Sequence, residues 1–174
     1  MLRNWGLVAV CAALALVAAC KKASESAAER AVERAIERGT GNKANVDVSQ
    51  GQIKVTGKED GKEFSFQASD KGGSALPKDF PGDLPRFPGA TVMSSLVRGD
   101  DMVLVNFEST AAMDEVSEFY GAKLRGGGWE IINEMAAPEM RMINGKKGDR
   151  ETSVTIHSDG RKTGISVVYS GGKG

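Results

Sequence analysis

Val92-Met93-Ser94-Ser95-Leu96-Val97 and Met102-Val103-Leu104-Val105-Asn106-Phe107 are two apolar-rich runs on either side of Arg98-Gly99-Asp100-Asp101. Extended runs of this length around a Gly-Asp turn read as a β-hairpin. Beyond it, Ser109 or Thr110 can cap a helix carrying Asp114 and Glu115 in its first turn, where the helix dipole favours acids. Val116, Phe119, Tyr120 and Leu124 give that helix a buried side, and Gly126-Gly127-Gly128 ends it. Four further strands are predicted over Trp129–Glu134, Met140–Gly145, Glu151–His157 and Thr163–Ser170. The order ββαββββ predicts an α+β fold, an antiparallel sheet with one helix packed on a face.

Turns set registers, and a register decides which side chains share a face. A turn about Gly99-Asp100 would oppose Leu96 to Val103, Ser94 to Val105 and Val92 to Phe107. A turn about Gly160-Arg161 opposes Ile156 to Ile165 and Val154 to Val167. A three-residue Lys147-Gly148-Asp149 loop then opposes Met142 to Val154 and Met140 to Ile156. That face, closed by Trp129, Ile131 and the helix, is the expected core. The other face carries Met93, Val97, Met102, Leu104, Ile132, Ile143 and Val168, an apolar set that needs cover. Upstream chain is the expected cover. The alternative makes Met93, Val97, Met102, Leu104, Ile132 and Ile143 a ligand or partner face.

Leu76 to Gly89 holds four of the five prolines, each directly after a large apolar residue. Proline pushes the residue before it to extended geometry, so the stretch reads as a strap anchored by Leu76, Phe80, Leu84 and Phe87. A latch on the following domain is expected, with a proline-rich recognition ligand as the rival. Before it, a Gly/Ser linker follows three short strands with Val46, Val48, Ile53, Val55, Phe64 and Phe66 on one side. A three-stranded meander cannot stand alone in water and needs a cover. Residues 21–38 supply a helix whose Ala28, Val32 and Ile36 form a narrow stripe beside Ala27, Ala31 and Ala35.

Lys plus Arg and Asp plus Glu are 23 each, which leaves no basic footprint for nucleic acid. His157 is the one histidine, beside the Ser158-Asp159-Gly160 turn, and no G-x-S-x-G elbow accompanies it. Met135, Met140 and Met142 with His157 would suit a soft metal ion, but the register above buries Met140 and Met142 away from His157. Asp47-x-Ser49-x-Gly51 lacks the closing glutamate of a calcium loop, and no phosphate loop occurs. No catalytic residue, metal or cofactor is expected.

Arg3 precedes an uncharged run from Gly6 to Ala19, the layout of a secretory signal and shorter than the about 20 apolar residues of a membrane span. Val17-Ala18-Ala19-Cys20 at its end resembles the lipobox of bacterial lipoproteins. That resemblance implies acylation of Cys20 and cleavage before it, and two or more chains hold a protein stably on a membrane. Once residues 1–19 are removed, no second cysteine remains for a disulfide. Lys21 after the cysteine favours the periplasmic face of the outer membrane if the host has two membranes.

A second resemblance covers Leu76 to Trp129. Asp79-Phe80-Pro81-x-Asp83-x-Pro85-x-Phe87-Pro88-Gly89-Ala90, then Phe119-Tyr120 and Leu124 before Gly128-Trp129, are similar to a "P-x-(Y/F)-P-G-A … F-Y … L … G-W" pattern of bacterial envelope lipoproteins without an assigned activity. The expected organisation is a signal peptide over 1–19, a lipidated helical stalk over 20–39 and a meander over 40–67. Linker and strap then occupy 68–89, the α+β domain 90–170 and a tail 171–174. The expected function is a non-enzymatic, membrane-anchored envelope lipoprotein serving as an interaction or structural module, with another envelope protein as a candidate partner; the alternative is a carrier of a lipid or other apolar ligand on the second face. Intact-mass analysis of the membrane fraction should give a chain that begins at Cys20 with acyl mass added. A chain beginning there without it would refute the anchor.

Overall fold

The computed structural model describes residues 25–40, 43–49, 51–59 and 61–171. The expected signal peptide, Cys20 and the start of the expected stalk lie outside them. The elements are α1 (Glu25–Thr40), β1 (Ala44–Ser49), β2 (Gln52–Glu59), β3 (Lys62–Ser69), β4 (Thr91–Arg98) and β5 (Met102–Ser109). They continue with α2 (Met113–Gly126), β6 (Glu130–Ala137), β7 (Met140–Lys147), β8 (Arg150–Ser158) and β9 (Thr163–Ser170). The nine strands form one antiparallel sheet in the order β1-β2-β3-β4-β5-β9-β8-β7-β6. A predominantly antiparallel sheet with two helices is an α+β architecture. The meander strands extend this sheet, because β3 pairs with β4 over Phe64–Ala68.

The two helices pack on opposite faces. Val46, Val55, Phe66, Leu96, Leu104 and Val168 stand opposite one another from strand to strand, so they share one face. At its β1–β2 end that face is closed by Val32 and Ile36 of α1, which bury Val46 and Val55. The other face carries Val103, Val105, Phe107, Val154, Ile156, Ile165 and Val167, packed against Val116, Tyr120 and Leu124 of α2. Each of these three helix residues is 0 % exposed. Losing a side chain such as Leu124 there costs about 2–5 kcal/mol, transfer and cavity together.

α1 also closes the sheet's first edge. The outward N–H groups of Val48 and Val46 donate to the carboxylates of Glu29 (3.0 Å) and Glu33 (3.3 Å). One helical i,i+4 step rises about 6 Å and two strand residues span about 6.7 Å, so the two ladders nearly match.

Two registers differ from the expected ones. Arg98 pairs with Met102 across a three-residue turn, which sets Leu96 against Leu104 and Val97 against Val103. Leu96 therefore lies on the outer face and Val97 packs against the α2 core. A bulge at Met93 then adds one residue and restores the expected Val92–Phe107 pair. In the β7–β8 hairpin Lys147 pairs with Arg150, leaving a two-residue turn that Gly148 enters at φ 62°. A one-residue change of turn length inverts a whole strand. Ile143, expected outside, is thus buried at 3 % exposure, while Met140 and Met142, expected inside, face outward against His157 and Thr155. The helix cap also differs: Ala112 is the N-cap of α2, and Ser109 Oγ instead accepts from the Ala111 N–H.

The strap follows the α2 face. Leu76, Phe80, Leu84 and Phe87 all join the α2 core, with Phe80 edge-on to Phe107 and Phe87 edge-on to Phe119. It does not cover the outer face. Asp83 pins it to the β7–β8 hairpin through a two-pronged contact with Arg150 (3.0 and 2.8 Å) and a bond from Lys147 (2.9 Å). Arg150 in turn lies over the Trp129 ring at 5.2 Å. The hydrogen bonds from Arg150 hold the Asp83 carboxyl below its ordinary value of 3.8. The resulting stabilisation is therefore complete above pH 3.8 and is lost as pH falls through the lower folded value. Asp83→Asn should cost up to about 1 kcal/mol in urea unfolding at neutral pH, the range of partly screened ion pairs. The difference from the native chain should shrink as the medium becomes strongly acidic; a difference that persists there would exclude this charge contact as its source.

Candidate ligand cleft

The sheet's α2 face is filled by α2 and the strap only from β4 onward. Over β1–β4 the same face carries short polar side chains at the alternate positions: Asn45, Thr56 and Ser65 in one row that ends on Val97, and Gln67 beside Ser95 in the next. They floor a cleft of about 1480 Å³. Ala75-Leu76-Pro77-Lys78-Asp79 of the strap forms one wall and the Gly99-Asp100-Asp101 turn another. This space exists because β1–β3 bury their large side chains toward α1 on the reverse side, and among the described residues no helix covers the face they leave behind.

The lining is mixed. Leu76, Pro77 and Val97 give it apolar ground, and Lys43, Lys58, Lys62 and Lys78 stand among Glu63, Asp79, Asp100 and Asp101. Lys62 bonds Asp101 at 2.7 Å and Lys58 reaches Glu63 at 3.5 Å. The Lys62 hydrogen bond holds the Asp101 carboxyl below its ordinary value. On the reverse, α1 face the Phe64 ring rests against Gly57, where a Cβ would fall 2.8 Å from it. A side chain on Gly57 would therefore displace the ring.

The six residues of the expected ligand face are not brought together. Val97 alone of them lines the cleft, on the α2 face. Ile143 is core. Met102 and Leu104 lie on the outer face, opposite Ser170 and Val168. Met93 sits in the β4 bulge against Gly72 and borders a hollow of about 240 Å³ with Asn106, Glu108, His157 and Lys162. Ile132 is 55 % exposed on the edge strand β6, near Met135 at 44 %. The cleft itself was missed because Thr56, Ser65 and Gln67 read as an ordinary solvated face. The available signal was Ser94-Ser95, a polar pair inside an apolar strand, of which Ser95 proves buried.

Met140 and His157 are cross-strand partners on the outer face, but the imidazole lies over Gly164 on β9, away from β7. Among the described residues no three His, Cys, Asp or Glu side chains converge on one point. Burial pushes the Tyr120 phenol up to about 12, so it stays neutral across the physiological range. No helix among the described residues is long and apolar enough to cross a membrane.

A family model described as START domain-like matches residues 91–166, from β4 into β9 and less than half of the 174 residues. No curated protein and no solved structure matches the chain.

Proposed function

We propose that this chain is a non-enzymatic envelope lipoprotein, anchored through Cys20, whose domain binds an amphipathic ligand in the strap-bounded cleft. Its place is the periplasmic face of the outer membrane where the host has two membranes. The observation that carries the reading is the cleft. Its volume of about 1480 Å³ exceeds the roughly 300–1,000 Å³ of small-molecule pockets, and it offers apolar ground beside lysines. The START domain-like match over 91–166 fits a binder of apolar ligands. In this reading Leu76, Pro77 and Val97 take the apolar part of the ligand, and Lys43, Lys62 or Lys78 meets its polar end.

The second reading, docking of another envelope protein, is favoured by Ile132 and Met135, the exposed large hydrophobic residues of the described chain, which share the open edge strand β6. Whole-cell crosslinking from β6 addresses it.

A dansyl-labelled fatty acid should bind the folded chain with enhanced fluorescence. Ser65→Trp, which fills the cleft from its floor without removing a core contact, should weaken that binding at least about tenfold, the equivalent of 1.4 kcal/mol. The thermal midpoint should be little changed. Undiminished binding by this variant would place the ligand elsewhere.

A further inference from the structure

We propose that Arg30, Arg34 and Arg38 form a membrane-contact stripe on α1 that binds acidic phospholipid headgroups. The proposal rests on the Cys20 anchor for its setting, and on the geometry of α1 for its substance.

The three arginines recur at i,i+4, and all are exposed. At about 100° per residue, Arg30 and Arg34 lie roughly opposite Val32 on the helix, so they point straight away from the sheet when Val32 and Ile36 are buried. Two of the neighbouring acids point away from the stripe. Glu29 and Glu33 turn toward β1, where they accept the Val48 and Val46 N–H groups. Glu37 is exposed on the flank, which leaves three cations against one acid on the outer surface of the described helix. Ahead of Glu29 the sequence adds Lys21 and Lys22 against Glu25, one further net positive charge.

Position supplies the partner. The five steps from Cys20 to Glu25 span at most roughly 18 Å of extended chain, so a lipid on Cys20 holds α1 close to the headgroups. A cationic stripe at that distance meets a negative surface potential, which attracts about 1 kcal/mol per basic residue, or about fivefold in binding each. The stripe would orient the domain on the membrane; the acyl chains hold it there.

The test uses the mature chain from residue 20 carrying Cys20→Ser, so that no acyl group contributes its own affinity. Vesicles of phosphatidylcholine, with and without phosphatidylglycerol, are sedimented with it. Binding is expected to the phosphatidylglycerol vesicles and to weaken as added salt shortens the screening length. Arg30→Gln/Arg34→Gln/Arg38→Gln should lose about 100-fold of that binding with an unchanged thermal midpoint, while the triple lysine variant retains most of it. Equal binding to pure phosphatidylcholine, or a glutamine variant that binds like the native chain, would overturn the proposal. Because the acyl group is absent, failure here leaves the anchor itself to be judged by intact mass.

Discussion

Where β3 meets β4, Phe66 stands opposite Leu96 and Ser65 opposite Val97. A pleated sheet keeps each face continuous across such a ladder, so this joint carries the faces of the first three strands into the last six. On β3 the large side chains point toward α1, and on β4 Val92 and Val97 point toward α2. The apolar set therefore changes sides at the joint. From that one constraint follow the two separate cores, the placement of the helices on opposite faces and the polar floor of the cleft. Leu96, Leu104 and Val168 are left half-buried on the outer face for the same reason.

The α1 attachment depends on the same arrangement. Val46 and Val48 present their N–H groups at the sheet's edge, at a spacing that a carboxylate pair one helical turn apart can meet. Apolar and hydrogen-bonding contacts thus hold α1 along two sides, and its third side turns outward. In the functional reading proposed above, a membrane beneath that third side leaves the cleft on the far face of the sheet, open to the space away from the lipid.

Most elements were legible from periodicity and turn chemistry, including the strap's four anchors and the buried side of α2. What was not legible came from single residues in turns. The β7–β8 connection holds two residues where three were expected, and this one difference exchanged Ile143 with Met140 and Met142 between inside and outside. In β4 the turn error and the Met93 bulge cancel at Val92 but not at Leu96 or Val97. The union of meander and domain in one sheet was hidden behind a long connection between β3 and β4, across which no local pattern reports pairing. The cleft was invisible for a different reason. Its floor of Thr56, Ser65 and Gln67 is the polar half of an alternating pattern, and such residues look alike whether bulk water or a bounded space lies above them.

The two ends of the sheet are unequal. At β1 the carboxylates of Glu29 and Glu33 occupy the N–H groups that another strand would need, whereas β6 has no strand beyond it among the described residues and carries Ile132 and Met135 in the open. Association through exposed strand edges is the usual route from a β-rich protein to a fibre, and a fibre needs two such edges on every copy. A chain with one edge closed can join a neighbour once and then stop. By closing one of the two edges, α1 makes a pair the upper limit of edge-to-edge growth.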